Sequence, residues 1–154
     1  MAERDTSAGS GTLSPTRRFD DVSVGDELPP LELAITPTLI ISTAIASRDY
    51  QDVHHDRDLA QQRGSKDIFM NILTSNGLVG RYVTDWTGPE ALIRRVAIRL
   101  GAPNHPYDTM RFTGTVTAKE RRDGQGVVEL SVTGANSLGN HVVGTVEVAL
   151  PTEE

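Results

Sequence analysis

Met70-Asn71-Ile72-Leu73-Thr74-Ser75-Asn76-Gly77-Leu78-Val79-Gly80-Arg81-Tyr82-Val83-Thr84-Asp85-Trp86 is the stretch on which the fold turns. It is long enough for more than about four turns at 3.6 residues each, and up to Thr84 its only charge is Arg81. Ile72, Leu73, Leu78, Val79 and Val83 lie around most of its circumference, with Gly77 and Gly80 between them. A helix that is apolar nearly all round is a buried one, and Gly88-Pro89 closes it.

On either side the periodicity changes. Downstream, Val128, Leu130 and Val132 alternate with Glu129, Ser131 and Thr133, and Val142, Gly144, Val146, Val148 and Leu150 share one face of a second strand. Leu92–Leu100 and residues 110–118 complete four strands in series, with turns at Asp123-Gly124 and at residues 136–140. Successive strands with short turns are expected to pair antiparallel. Upstream, Gly25-Asp26 leads into a strand around 31–35, and Thr36-Pro37 is a helix start with a capping hydroxyl and a proline in the first turn. That helix is expected to end near Arg48, and a short one over 57–63 to stop at Gly64. Residues 1–17, rich in Ser, Thr, Gly and charge, read as a flexible tail ahead of a single domain over 18–154. A strand, a nearly all-apolar helix and four antiparallel strands predict an α+β fold with the sheet curled around a central helix.

Composition removes several function classes. The 154 residues carry 15 Lys and Arg against 21 Asp and Glu, a net charge of −6, which disfavours a nucleic-acid binder. The absence of cysteine excludes disulfides, thiolate metal sites and a cysteine nucleophile. There is no membrane-length apolar run and no leader-like N-terminus, so a cytoplasmic protein is expected.

Asp49-Tyr50-Gln51-Asp52-Val53-His54-His55-Asp56 is the densest run of chemically competent groups, and it lies between two apolar segments. Three chemistries compete for it. A metal could take His54, His55, Asp52 or Asp56, although neighbouring loop side chains seldom converge on one ion. Asp49 and His54, five apart across a turn, could act as a general acid–base pair on one water, with the surrounding helices desolvating the carboxylate and raising its pKa. A nucleophilic triad would use Ser42, Ser47 or Ser65, but no Gly-x-Ser-x-Gly elbow is present.

Arg48-Asp49-Tyr50-Gln51-Asp52-Val53-His54 resembles the Gly-Asp-x-Asn-Pro-aliphatic-His signature of the MaoC-like hot-dog (R)-specific enoyl-CoA hydratases. The order of elements from Phe19 to Leu150 resembles the hot-dog fold, an antiparallel sheet wrapped around a long helix. Arg48, Gln51 and Asp52 depart from the pattern, while the two reactive residues are retained. The runs 47–58, 64–69 and 81–86 are similar to the small subunit of the two-component actinobacterial steroid side-chain hydratases. The resemblance implies addition of water across the C2=C3 bond of a 2-enoyl-CoA, with a steroid acyl group in that subgroup. Asp49 would be base and proton carrier, His54 would hold and polarise the water, and the Asn71 backbone N–H would meet the thioester oxygen. Met70-Asn71 stand where the family has His-Gly. No metal or redox cofactor is implied, coenzyme A being part of the substrate. The implied partner is a larger hot-dog chain fused to an OB-type domain, in a heterodimer or heterotetramer, with a homodimer as the alternative. A non-catalytic acyl-CoA-binding subunit and a thioesterase are the rival functions.

Of the remaining residues, Arg94, Arg95 and Arg99 are expected on a solvated strand surface, with CoA phosphates as the alternative contact. Tyr82 and Trp86 are expected in packing, and His105, in a turn-like stretch, at the exposed surface or lining an entrance.

Overall fold

The computed structural model describes residues 15–152. A 3-10 turn at Phe19–Asp21 precedes β1 (Glu27–Ile35); then follow α1 (Pro37–Ala46), a 3-10 turn at Asp52–His54, α2 (Arg57–Gln62) and α3 (Ile72–Thr87). Four strands finish the chain: β2 (Leu92–Leu100), β3 (Asp108–Arg122), β4 (Gln125–Asn136) and β5 (Gly139–Leu150). The expected tail falls mostly on residues 1–14, outside the described ones. Its last residues lie along the end of α3, where Arg17 N–H donates to Thr87 O at 2.8 Å and the Arg17 guanidinium sits 4.9 Å from the Trp86 ring centre.

The helix boundaries follow local chemistry. Thr36 Oγ1 accepts from Leu39 N–H at 3.0 Å at the start of α1, and α3 ends at Gly88, whose φ of 88° suits a residue without Cβ. Asp123 and Gly124 have φ of 52° and 76°, the left-handed pair that closes a tight hairpin between β3 and β4.

All five strands form one antiparallel sheet in the order β1-β3-β4-β5-β2. The expectation of four consecutive neighbours therefore holds for β3, β4 and β5 but not for β2, which pairs with β5 at the far edge. The link from β2 to β3 is too long for a tight turn. It passes the start of α3, where Met70 N–H donates to Asn104 O at 3.0 Å. The side of α3 that carries Val79, Tyr82, Val83 and Trp86 packs into the sheet's core with Phe112, Val116, Leu130 and Val146.

Two expectations of burial are corrected. The helix α3 is not covered all round: Ile72 and Leu73 are 53% and 52% exposed. The single sheet covers one side of α3, and among the described residues α1 meets only part of the other. His105 is buried, not exposed, because its Nδ1 pairs with Ile68 O at 2.9 Å under the segment leading into α3. Tyr82 and Trp86 are packed as expected, and Arg94, Arg95 and Arg99 are exposed.

Candidate active site

The end of α1 aims Asp49. Arg48 N–H donates to Ile45 O at 3.0 Å and Asp49 N–H to Ala44 O at 2.9 Å, with Arg48 at φ 58°. This is a Schellman motif, which normally places glycine at the left-handed position. Arg48 accepts the strained conformation, and the chain turns so that the next side chain faces the start of α3. The 3-10 turn at Asp52–His54 then brings His54 back: its Nε2 lies 3.4 Å from Asp49 Oδ2.

The imidazole is fixed from behind. His54 Nδ1 is 2.7 Å from Phe69 O, and the Phe69 ring meets it edge-on with centroids 5.0 Å apart. A carbonyl can only accept, so Nδ1 carries a proton, and in the neutral tautomer the Nε2 lone pair faces Asp49. Nε2 and Asp49 Oδ2 are then two acceptors converging on one point. That arrangement can take both protons of a single water in hydrogen bonds.

Asn71, the N-cap of α3, completes the site. Its Oδ1 accepts from Thr74 N–H at 3.0 Å, while Nδ2 donates to Asp49 Oδ2 and to Ser47 Oγ, both at 3.0 Å. Its backbone N–H is one of the orphan donors of the helix start and meets no acceptor among the described residues. The Asn71 amide holds the Asp49 carboxyl below the usual carboxylate range, helped by Gln51 N–H and His54, and outweighs the opposing effect of burial. The expected upward shift is thus reversed. Asp49 is 20% exposed and directly hydrogen-bonded, so donation to the charged form wins over desolvation.

The other acidic and histidine residues of the run have structural duties. Asp52 pairs with Arg63 at 2.6 Å, Asp56 caps α2 through Leu59 N–H, and His55 is exposed. No three His, Asp or Glu residues converge as a metal site among the described residues. Ser42 and Ser65 bond to nearby backbone carbonyls, and Ser47 to Thr43 O and to Asn71. None of the three meets a histidine among the described residues, which removes the triad.

Sequence reasoning missed a buried pair behind the site. His141, 2% exposed, has Nε2 2.7 Å from Ser75 Oγ and Nδ1 2.7 Å from Ala102 O, while Ser75 N–H donates to Asn71 O at 3.2 Å. Burial holds the His141 imidazole below its ordinary range against the raising effect of the Ala102 carbonyl. The folded chain therefore resists a proton that the unfolded chain takes up. The sign is that stability is complete above the unfolded value of about 6.5 and erodes as the pH falls below it. Urea midpoints are expected to drop between about pH 7 and pH 5, and His141→Gln to flatten that dependence. An unchanged slope in the variant would remove His141 as its source.

No family model matches the chain. It is 56% identical over 127 residues, 82% of its length and 95% of the relative's, to the 3-oxo-4,17-pregnadiene-20-carboxyl-CoA hydratase beta subunit of Mycobacterium tuberculosis. Among solved structures, the ChsH1-ChsH2 complex from Mycobacterium tuberculosis contains a chain that matches with TM-score 0.78 and 56% identity, over 83% of this chain and 98% of that one. The unliganded R-hydratase PhaJ1 from Pseudomonas aeruginosa matches with TM-score 0.79 at 20% identity, covering 88% of this chain and 86% of that one, a likeness of fold.

Proposed function

Because this chain belongs to the family of the 3-oxo-4,17-pregnadiene-20-carboxyl-CoA hydratase beta subunits, with the hot-dog fold of the MaoC-like (R)-hydratases, we propose that it is the water-activating subunit of a steroid side-chain 2-enoyl-CoA hydratase. The observation that carries this reading is the 3.4 Å approach of His54 Nε2 to Asp49 Oδ2, with Nδ1 tied off by Phe69 O.

In the proposed reaction a water donates one hydrogen bond to each acceptor. Asp49 takes a proton as the water oxygen bonds to C3. The C2=C3 electron pair moves toward the thioester carbonyl, giving an enolate whose oxygen meets the Asn71 N–H at the α3 N-terminus. Asp49 then returns the proton to C2, so that hydroxyl and hydrogen have added and the carboxylate is restored. A carboxyl with a low pKa is fully ionised for the first step and, once protonated, a strong acid for the last. Coenzyme A enters as part of the substrate, and the reaction as drawn calls for no other cofactor.

The same reading gives the chain a partner, a larger MaoC-like subunit carrying an OB-type domain. The surface features favour a defined seat. At one sheet edge, β1 carries Pro29 and Pro30 beside a register break, which blunts it. At the other, β2 has no proline and exposes Leu92 and Ile93. Ile93 Cδ1 lies 3.9 Å from where a Cβ at Gly80 would stand, so this edge runs on to the exposed Ile72, Leu73 and Gly77 of α3. The open apolar cleft between α1 and α3, about 340 Å³ and lined by Ala46, Ser47, Leu73 and Leu78, opens beside the site. A bulky acyl group there would be enclosed by both subunits.

The test follows the conjugated enoyl-thioester absorbance of a steroid 2-enoyl-CoA with this chain and its co-expressed larger subunit. Mass spectrometry is expected to show one added water, whereas free thiol would indicate a thioesterase and no reaction a binding subunit. Leu73→Asp is expected to weaken the complex by about 30-fold or more, as for a buried interface anchor. Co-purification at parental strength would move the seat elsewhere.

A further inference from the structure

We propose that the Asn71 side chain is a positioning residue, holding the Asp49 carboxylate opposite His54 through a donor fixed at the start of α3. The inference rests on the reading of Asp49 as the base. It comes from the side chain of a residue whose backbone alone the hydratase resemblance implicates.

The orientation of the amide is fixed by its surroundings. Thr74 N–H, 3.0 Å away, can only donate, so the atom facing it is Oδ1, and Nδ2 must face Asp49 and Ser47. Ser47 Oγ places its own proton on the α1 carbonyls, 2.8 Å from Thr43 O, and is free to accept from Nδ2. Turning the amide over would set N–H against N–H at Thr74 and oxygen against the carboxylate at Asp49. Asn71 is 2% exposed, and its backbone is anchored through Ser75, His141 and Ala102. A donor held this firmly cannot follow a neutral carboxyl as it turns, so its bond to Asp49 Oδ2 favours the charged, acceptor-only form.

The groups that face Asp49 are few. His54 Nε2 comes from the 3-10 turn, Asn71 Nδ2 from the start of α3, and Gln51 N–H from the loop at 3.4 Å. Ser47 stands behind Asn71 at the end of α1, Arg48 precedes Asp49 in the chain, and the nearby Asp52 is engaged by Arg63. His54 is the titratable side chain in contact. Asn71 is then the group whose removal moves the Asp49 titration without altering the charge of the site.

Asn71→Ser keeps an N-cap acceptor for Thr74 and removes the donor, and Asn71→Asp keeps the cap and sets a second carboxylate against the first. In the complex with the larger subunit, the Asp49 titration itself is expected to move up by about one pH unit in Asn71→Ser, and further in Asn71→Asp. The Asp49 carboxyl carbon resonance, assigned by its loss in Asp49→Asn, should titrate with the same shift. The parent protein supplies a check that needs no variant at Asn71: its side-chain amide protons should move with the Asp49 titration and cease to do so in Asp49→Asn. An Asp49 titration unmoved in a folded Asn71→Ser, or Asn71 amide protons indifferent to it in the parent, overturns the proposal. If the resonances behave as expected but no preparation hydrates an enoyl-CoA, the positioning stands and the hydratase reading falls.

Discussion

Asp49→Asn is expected to lower kcat for enoyl-CoA hydration by on the order of 10³-fold, within the usual range for loss of a general base, while KM and assembly with the larger subunit stay near parental values. The amide has the shape of the carboxylate but cannot accept the proton of the attacking water or return one to C2. With its Oδ1 toward the 3.0 Å bond from Asn71 the amide keeps that bond, so what is lost is the negative charge and the capacity to carry a proton. Fold stability should change little, because Asp49 is a partly exposed residue at a helix end. Steady-state rates and thermal midpoints measured on the same preparation separate the two effects. Undiminished hydration by a folded Asp49→Asn complex would end the assignment of Asp49 as base.

Much of the fold was legible because its punctuation is local. Thr36-Pro37, Gly64, Gly88 and Asp123-Gly124 each act through the backbone conformation of one or two residues, and each stands where an element starts or stops. The strand order was not legible, because pairing is decided through space. The alternation in Leu92–Leu100 identifies a strand but carries no information that it lies beside β5 and not β3. The exposed face of α3 follows the same logic. Ile72 and Leu73 are apolar yet exposed, and hydropathy alone does not say which apolar residues of a helix its own chain covers.

The site divides in a similar way. Asp49 and His54 were found from their spacing and their resemblance to a known signature, and the structure brings them together. The sign of the Asp49 shift was missed because the deciding group, the Asn71 amide, lies 22 residues on, in a different element. A local signal for that residue did exist: an Asn just ahead of an apolar helical run is a favoured N-cap, which would have moved the helix start from Met70 to Ile72 and turned attention to the side chain. The Ser75–His141 pair, 66 residues apart, has no such signal. Nor does His105, whose burial depends on a carbonyl at Ile68.

Phe112→Ala is expected to cost about 3–5 kcal/mol of folding stability, the usual penalty for emptying a buried aromatic site. The ring is fully buried on β3 and stacks on Tyr82 of α3 with centroids 5.3 Å apart and planes 21° from parallel. Directly across the β3–β4 ladder its partner is Gly134. A Cβ at Gly134 would stand 2.9 Å from Phe112 Cε1 and 2.8 Å from Val142 Cγ1, so the glycine makes the seat the ring occupies and the ring covers the bare backbone. Filling the seat should therefore also destabilise, and Gly134→Ala is expected to cost about 1–3 kcal/mol by overpacking. The two positions must then couple. With Phe112→Leu the added methyl gains room, so the double variant should be more stable than the sum of the singles by about 0.5–3 kcal/mol. Urea midpoints at constant m-value measure all three terms. Additive losses would mean that ring and glycine do not share a space. Because Tyr82 lies about three turns along α3 from Asn71, the folded fraction of Phe112→Ala should keep the parental kcat at low temperature. A loss of kcat in fully folded protein would instead tie the core stack to the geometry of Asp49.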